Sequence, residues 1–148
     1  MTDNADILMS ENLVDDSQFP IIHSDLSPLV MAHIGDAYYH LFVRVKLINY
    51  KHKVNDLHEI SAKIVSAVSQ SKSYLTIENQ LTEEERYIFR RGRNTKSRSS
   101  HSATQSVYHN STGFEALLGA LFLEKKFARL NEIADAAFNV IMGEINEQ

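Results

Sequence analysis

The chain has 148 residues, with 15 Lys and Arg against 19 Asp and Glu, seven His, and no Cys or Trp. A chain of this length buries roughly two-thirds of its unfolded surface, enough for one self-supporting domain. Without cysteine there is no thiol nucleophile, Cys-ligated zinc, iron–sulfur cluster or disulfide. The net charge of -4 is unevenly spread: Arg86, Arg90, Arg91, Arg93, Lys96 and Arg98 fall between Arg86 and Phe114 with no acid among them. Such a run creates a local positive field that attracts phosphate, although a solvated helix end followed by a charged loop has the same composition.

In chain order, residues 1–19 hold Asp3, Asp6, Glu11, Asp15 and Asp16 without a Lys or Arg, and read as a flexible acidic arm. They lack the basic start and long apolar run of a secretory signal, and no later stretch approaches the roughly 20 apolar residues of a membrane span. The expectation is a cytoplasmic protein with no membrane association, whose single all-α domain occupies 20–148. A first helix is predicted after Pro28, with Val30, Ile34, Ala37, Leu41 and Val45 as its core stripe. A second is predicted from Asp56 as N-cap, Glu59 completing a capping box, with Leu57, Ile60, Ile64, Ala67 and Val68 as its apolar face, fading after Ser71. A third starts at Thr82, with Glu85 closing another box, Arg90 and Arg91 in the last turn and Gly92 as its stop. The polar, Ser-rich stretch from Arg93 to Asn110 reads as a long exposed loop carrying the basic cluster, and loops of that length are usually functional or disordered. Two helices follow, one from Ser111 or Thr112 to Glu124 and one from about Phe127 to Ile145 with Leu130, Ile133, Ala134, Ala137, Phe138 and Ile141 on one side.

Two carboxylates break the pattern of ordinary surface helices. Asp36 follows Gly35 inside an otherwise apolar helix, a pairing that costs on the order of 1 kcal/mol of helix propensity. Glu115 is flanked by Gly113, Phe114, Ala116 and Leu117. A half-buried carboxylate needs a cation, a hydrogen bond or a metal, and two of them from different helices make an oxygen-ligand site for Mg2+. Each has a simpler reading. Asp36 faces solvent while Gly35 lets a neighbouring helix approach, or Glu115 closes a T-x-x-E capping box with Thr112. His33 and His40 lie on the face of Asp36 and leave open roles as ligands, bases or phosphate contacts, and whether Tyr108 takes part in the site stays open too. Tyr38 and Tyr39 read as core and rim aromatics.

The segments HIGDAYYHL, LHEISAKIVSAVSQ, LTEEERYIFRRGRNTKS and YHNSTGFEALLGALFL together resemble the mini-ribonuclease III family, over about residues 25–142 with unbroken spacing. The resemblance implies a ribonuclease III-like helical endonuclease domain, acting as a homodimer that cleaves double-stranded RNA with Mg2+ and matures ribosomal RNA precursors. It also implies that Asp36, in Gly35-Asp36-Ala37, and Glu115, in Phe114-Glu115-Ala116, are the catalytic and metal-binding residues. The larger ribonuclease III pattern adds a glutamate four residues before that aspartate and an aspartate three before that glutamate. Here those positions are Ala32 and Thr112, which puts in doubt how many metals are held. Arg90, Arg91, Arg93, Lys96 and Arg98 are the candidate RNA-binding residues, arginine being suited to bidentate phosphate contacts. Two other classes stay open: a non-catalytic double-stranded-RNA-binding module of the same fold, should Asp36 and Glu115 lie too far apart, and a helical protein-interaction domain. Homodimerisation is expected through the first helix and FEALLGALFL, whose apolar residues surround its axis.

Overall fold

A computed structural model describes residues 26–50, 53–95 and 103–146. Its helices are α1 (Pro28–Leu47), α2 (Val54–Ile64), α3 (Ala67–Ile77), α4 (Glu83–Arg93), α5 (Ala103–Leu123) and α6 (Phe127–Asn146), with short 3-10 turns at Ile48–Tyr50 and Glu78–Gln80. No strand occurs among the described residues. The expected arm at 1–19 lies outside them, as do Lys96 and Arg98.

The domain is built around α5, which packs against α1, α3, α4 and α6. Phe114, Ala116, Leu117, Leu118, Ala120, Leu121 and Leu123 are all buried, as expected of a helix apolar on every side. Its apolar surface is thus consumed within the chain, and gives no ground for a dimer face on FEALLGALFL. The helix also begins earlier than its sequence suggests. Residues 103–110 belong to α5 rather than to a loop, so Thr112 and Glu115 are both helix-interior and the capping-box reading of Glu115 falls away. The Thr112 hydroxyl instead donates to the Tyr108 carbonyl at 3.2 Å.

Helix α1 starts where the sequence places it, with Ser27 as N-cap and Pro28 in the first turn. Its buried face, however, is Met31, Ala32, Gly35, Tyr38, Tyr39, Phe42, Val43 and Leu47. The predicted stripe lies on the other side, Val30 and Leu41 being 48% and 43% exposed. Helix α2 starts at Val54 after Lys53, which leaves Asp56 in the first turn rather than at the cap. It ends at Ile64, and Ser66, its hydroxyl accepting from the Ser69 amide, starts α3. The single helix expected across 56–71 is therefore two, with Val68 exposed.

Helix α4 carries the predicted capping box: the Thr82 amide donates to Glu85 Oε1 at 2.8 Å and the Glu85 amide to Thr82 Oγ1 at 3.1 Å. Glu85 is buried and also receives Arg129, whose Nε and Nη2 reach its two oxygens at 2.8 Å each. Gly92 does not end this helix. It lies inside it, where a Cβ would meet Ala116 at 2.8 Å and Gly113 at 2.9 Å, so it lets α4 approach α5 closely. Helix α6 matches its predicted span, and all six predicted core residues are buried.

Candidate active site

The crossing of α1 and α5 creates the site. A Cβ on Gly35 would fall 1.7 Å from the Glu115 carbonyl oxygen, and one on Gly119 would fall 1.8 Å from the Met31 carbonyl oxygen. Two glycines, one on each helix, thus allow the backbones to touch over one turn. Asp36 is next to the first glycine and Glu115 supplies the carbonyl it faces, so the crossing brings together carboxylates 79 residues apart in sequence. The edge-to-face packing of Tyr39 on Phe114, with ring centroids 5.3 Å apart, closes the interior side of the same crossing.

Asp36 and Glu115 lie within hydrogen-bonding reach of each other but in unlike surroundings. The Asp36 side chain is about half exposed and accepts from His40 Nε2 at 3.1 Å. Glu115 sits deeper, and burial, the hydrogen bond with Asp36 and the Asp36 charge together push its pKa from 4.5 up to about 9. At neutral pH without a cation Glu115 therefore keeps its proton. Ala32 is buried and Thr112 spends its hydroxyl on a backbone carbonyl, so neither adds a charge to the pair. Among the described residues no cluster of three or more His, Asp or Glu is assembled to hold a metal.

A buried polar network fixes Glu115 from α3, and sequence reasoning did not find it. The Ser111 hydroxyl donates to Gln70 Oε1 at 2.9 Å and lies 3.4 Å from Glu115 Oε1, while Gln70 Nε2 donates to the Val65 carbonyl at 2.9 Å. One residue back on α5 and one residue on along α3, Asn110 donates to Ser71 Oγ at 3.0 Å and accepts from Arg93 Nε at 2.9 Å. Gln70, Ser71, Asn110 and Ser111 are all buried. The signal available in the sequence was the polar run Ser69, Gln70, Ser71 and Ser73 inside a helix, which needs partners if it is to be buried.

Of the candidate basic residues, Arg90, Arg91 and Arg93 lie at the C-terminal end of α4, exposed or half-exposed, one turn along α5 from Glu115 through the Gly92 approach. Arg86 is tied to Glu83 at 2.7 Å. Tyr108 is exposed on α5 beside His109, and His33 is exposed on α1.

Comparison with known proteins decides the family. The Ribonuclease III domain family matches residues 29–126. The chain belongs to that family. It is 46% identical to Mini-ribonuclease 3 of a Thermoanaerobacter species over 118 residues, covering 78% of this chain and 83% of the relative. It is 39% identical to Mini-ribonuclease 3 of Staphylococcus aureus, covering 83% and 92%. Among solved structures, a crystal structure of a protein from Fusobacterium nucleatum superposes with a TM-score of 0.69 at 32% identity, covering 81% of this chain and 95% of that one. With such relatives over most of its length, the chain is a ribonuclease III-type endoribonuclease of the mini-ribonuclease III kind. The resemblance drawn from the four sequence segments and the all-helical fold class both hold.

Proposed function

We propose that the protein is a Mg2+-dependent endoribonuclease that cleaves double-stranded RNA, with Asp36 and Glu115 as its catalytic and metal-binding residues, and that it matures ribosomal RNA precursors in the cytoplasm. The observation that carries this reading is the pairing of the two carboxylates across the Gly35–Gly119 crossing. The non-catalytic alternative is favoured if the two groups lie too far apart to share a metal, and their hydrogen-bonding reach supports the catalytic reading instead.

The donor set fits a hard divalent cation, because Glu115, buried beside the Asp36 carboxylate, holds a proton that a positive charge could replace. Bound there by Asp36 and Glu115, Mg2+ would supply Lewis-acid stabilisation of the phosphate and a lowered pKa for water. The chain's own residues do the rest. Ser111, held by Gln70, fixes the rotamer of Glu115, and His40 restrains Asp36 from the solvent side. With two protein carboxylates in place of four, the site leans on substrate phosphates and water to complete the octahedron.

A-form duplex RNA is read by shape, phosphates and 2′-hydroxyls. In this reading Arg90, Arg91, Arg93, Lys96 and Arg98 supply the phosphate contacts. Arg93 is pre-oriented, since its Nε is spent on Asn110, which leaves both terminal nitrogens for a bidentate contact. A homodimer is the arrangement that sets two sites against two strands. Its contact surface is then the outward row of Val30, Ile34, Ala37 and Leu41 on α1, an apolar stripe in which Val30, Ala37 and Leu41 are exposed and Ile34 is half-buried. The reading treats 20–148 as one catalytic domain with residues 1–19 as an appended arm. Incubation of the purified protein with total precursor RNA and Mg2+ tests it: cuts confined to duplex regions of ribosomal precursors support it, and an intact precursor pool with cutting of single-stranded RNA overturns it.

A further inference from the structure

Beside the carboxylate pair, a groove of about 400 Å³ runs between α1 and α2, lined by His40, Arg44, His58, Ser61, Ala62 and Val65. Three features distinguish it from ordinary surface relief. The lining carries three nitrogen-bearing side chains and no acid. Neither Arg44 nor the His58 ring has an ion-pair or hydrogen-bond partner among the described residues, although Ser61 is tied down by donating to the His58 carbonyl at 3.2 Å. And the groove joins the carboxylate pair on two sides. His40 bonds Asp36 directly, while the carbonyl of Val65 receives Gln70, whose other end holds Ser111 against Glu115.

Asp36, His40 and Arg44 are spaced by four residues, so they form one row along α1. Arg44 stands two turns, about 12 Å, beyond Asp36 along the helix axis. That separation gives Arg44 a position along α1 distinct from that of the carboxylate pair. We propose that this groove is a second phosphate subsite, in which Arg44 and His58 hold an internucleotide phosphate of the strand whose scissile bond lies at Asp36 and Glu115. The inference rests on the duplex-RNA reading above and adds a contact surface on the opposite helix pair from the α4 arginines. Arg44 supplies a planar fork of donors suited to two phosphate oxygens, and the His58 imidazole supplies a further N–H. Occupancy registers the strand along α1, so its loss falls on binding rather than on the chemical step.

The test is duplex RNA binding in EDTA, which prevents cutting, followed by cleavage kinetics in Mg2+, for the parent, Arg44→Gln, Arg44→Lys, His58→Ala and the control Lys72→Gln, an exposed cation paired with Glu144 outside the groove. Arg44→Gln is expected to weaken binding roughly tenfold and to lower the slope of log K against log salt by about 0.9. KM should rise with kcat kept within about twofold. Arg44→Lys should restore the slope but only part of the affinity, and the control should match the parent. Duplexes with and without terminal phosphates should respond alike, and an effect confined to phosphorylated ends would overturn the internucleotide assignment. A parent that binds and cuts duplex RNA while Arg44→Gln and His58→Ala bind with unchanged affinity and slope would overturn the subsite and leave the endonuclease reading standing. A parent that neither binds nor cuts duplex RNA would overturn both, and is recognised without any variant.

Discussion

Replacing Glu115 with Gln should make the metal-free protein more stable, and the reason lies in the proton that Glu115 retains. In the unfolded chain Glu115 ionises around pH 4.5, whereas in the folded chain it holds its proton up to about pH 9. Between those values the folded state binds more protons than the unfolded one, so stability falls as pH rises through this window. At pH 7 the ceiling is set by the 2.5 units above 4.5 at 1.36 kcal/mol each, or about 3 kcal/mol. Half of the pair is open to solvent, since Asp36 is about half exposed, and screening brings the expected effect to about 1–2 kcal/mol. Glu115→Gln keeps the side-chain volume and removes the titration. Urea unfolding followed by helical circular dichroism at pH 5, 7 and 9 in EDTA should give curves that diverge with pH, the parent losing stability and the variant staying level. Added Mg2+ should recover the parent at pH 7 to 9, because a cation replaces the retained proton, and should leave the variant nearly unmoved. A parent whose stability is flat from pH 5 to 9, or a variant that is weaker than the parent at pH 9, would refute the electrostatic account of the pair.

The remaining expectations concern the scaffold. Tyr39 is fully buried and its hydroxyl has no partner among the described residues, so Tyr39→Phe should be neutral or stabilising by up to about 1 kcal/mol in the same unfolding assay, and a loss of 2 kcal/mol would reveal a hidden partner. Glu85 is held below its ordinary range, first by its hydrogen bond from Arg129, so that ion pair contributes stability above about pH 4.5 that is lost as pH falls through the folded value. Arg129→Gln strands a buried carboxylate; with Arg129 27% exposed the cost should be about 1–3 kcal/mol at pH 7 and smaller at pH 4. Gly119→Ala should push α1 and α5 apart at Met31, separating the carboxylates and abolishing cleavage even where the fold survives, which helix content and activity measured side by side would show.

How much of this was legible in the sequence follows from how local each determinant is. The Thr82–Glu85 box and the stripe of α6 are short-range patterns, and both were read correctly. On α1 nearly every side carries apolar residues, so periodicity alone selected a plausible stripe that proved to be the outward one, while the buried one was chosen by contact with α5. Residues 103–110 read as a loop because Ser, Thr, Asn and His are poor helix formers. Asn110 and Ser111 nonetheless belong to α5, and their side chains are satisfied by Ser71 and Gln70 on another helix, a tertiary gain that overrides propensity. The break between α2 and α3 has no Gly or Pro to announce it and rests on the Ser66 cap. Asp36 and Glu115 were recognisable as anomalous carboxylates and by family motif, but their adjacency depends on Gly35 and Gly119 meeting across a crossing that no local pattern encodes. The groove residues Arg44 and His58 had no signal at all, because an arginine and a histidine on two amphipathic helices look like solvated faces until the helices are packed.

The most direct measurement is cleavage of a plain RNA duplex by the parent, Asp36→Asn and Glu115→Gln, each with and without saturating Mg2+, alongside duplex binding in EDTA. The account predicts that the parent cuts only with Mg2+, and that neither variant cuts although both keep their helix content and bind the duplex as the parent does. Cutting by Glu115→Gln at near the parent rate in saturating Mg2+ would contradict it, and would assign the partner of Asp36 to a different residue.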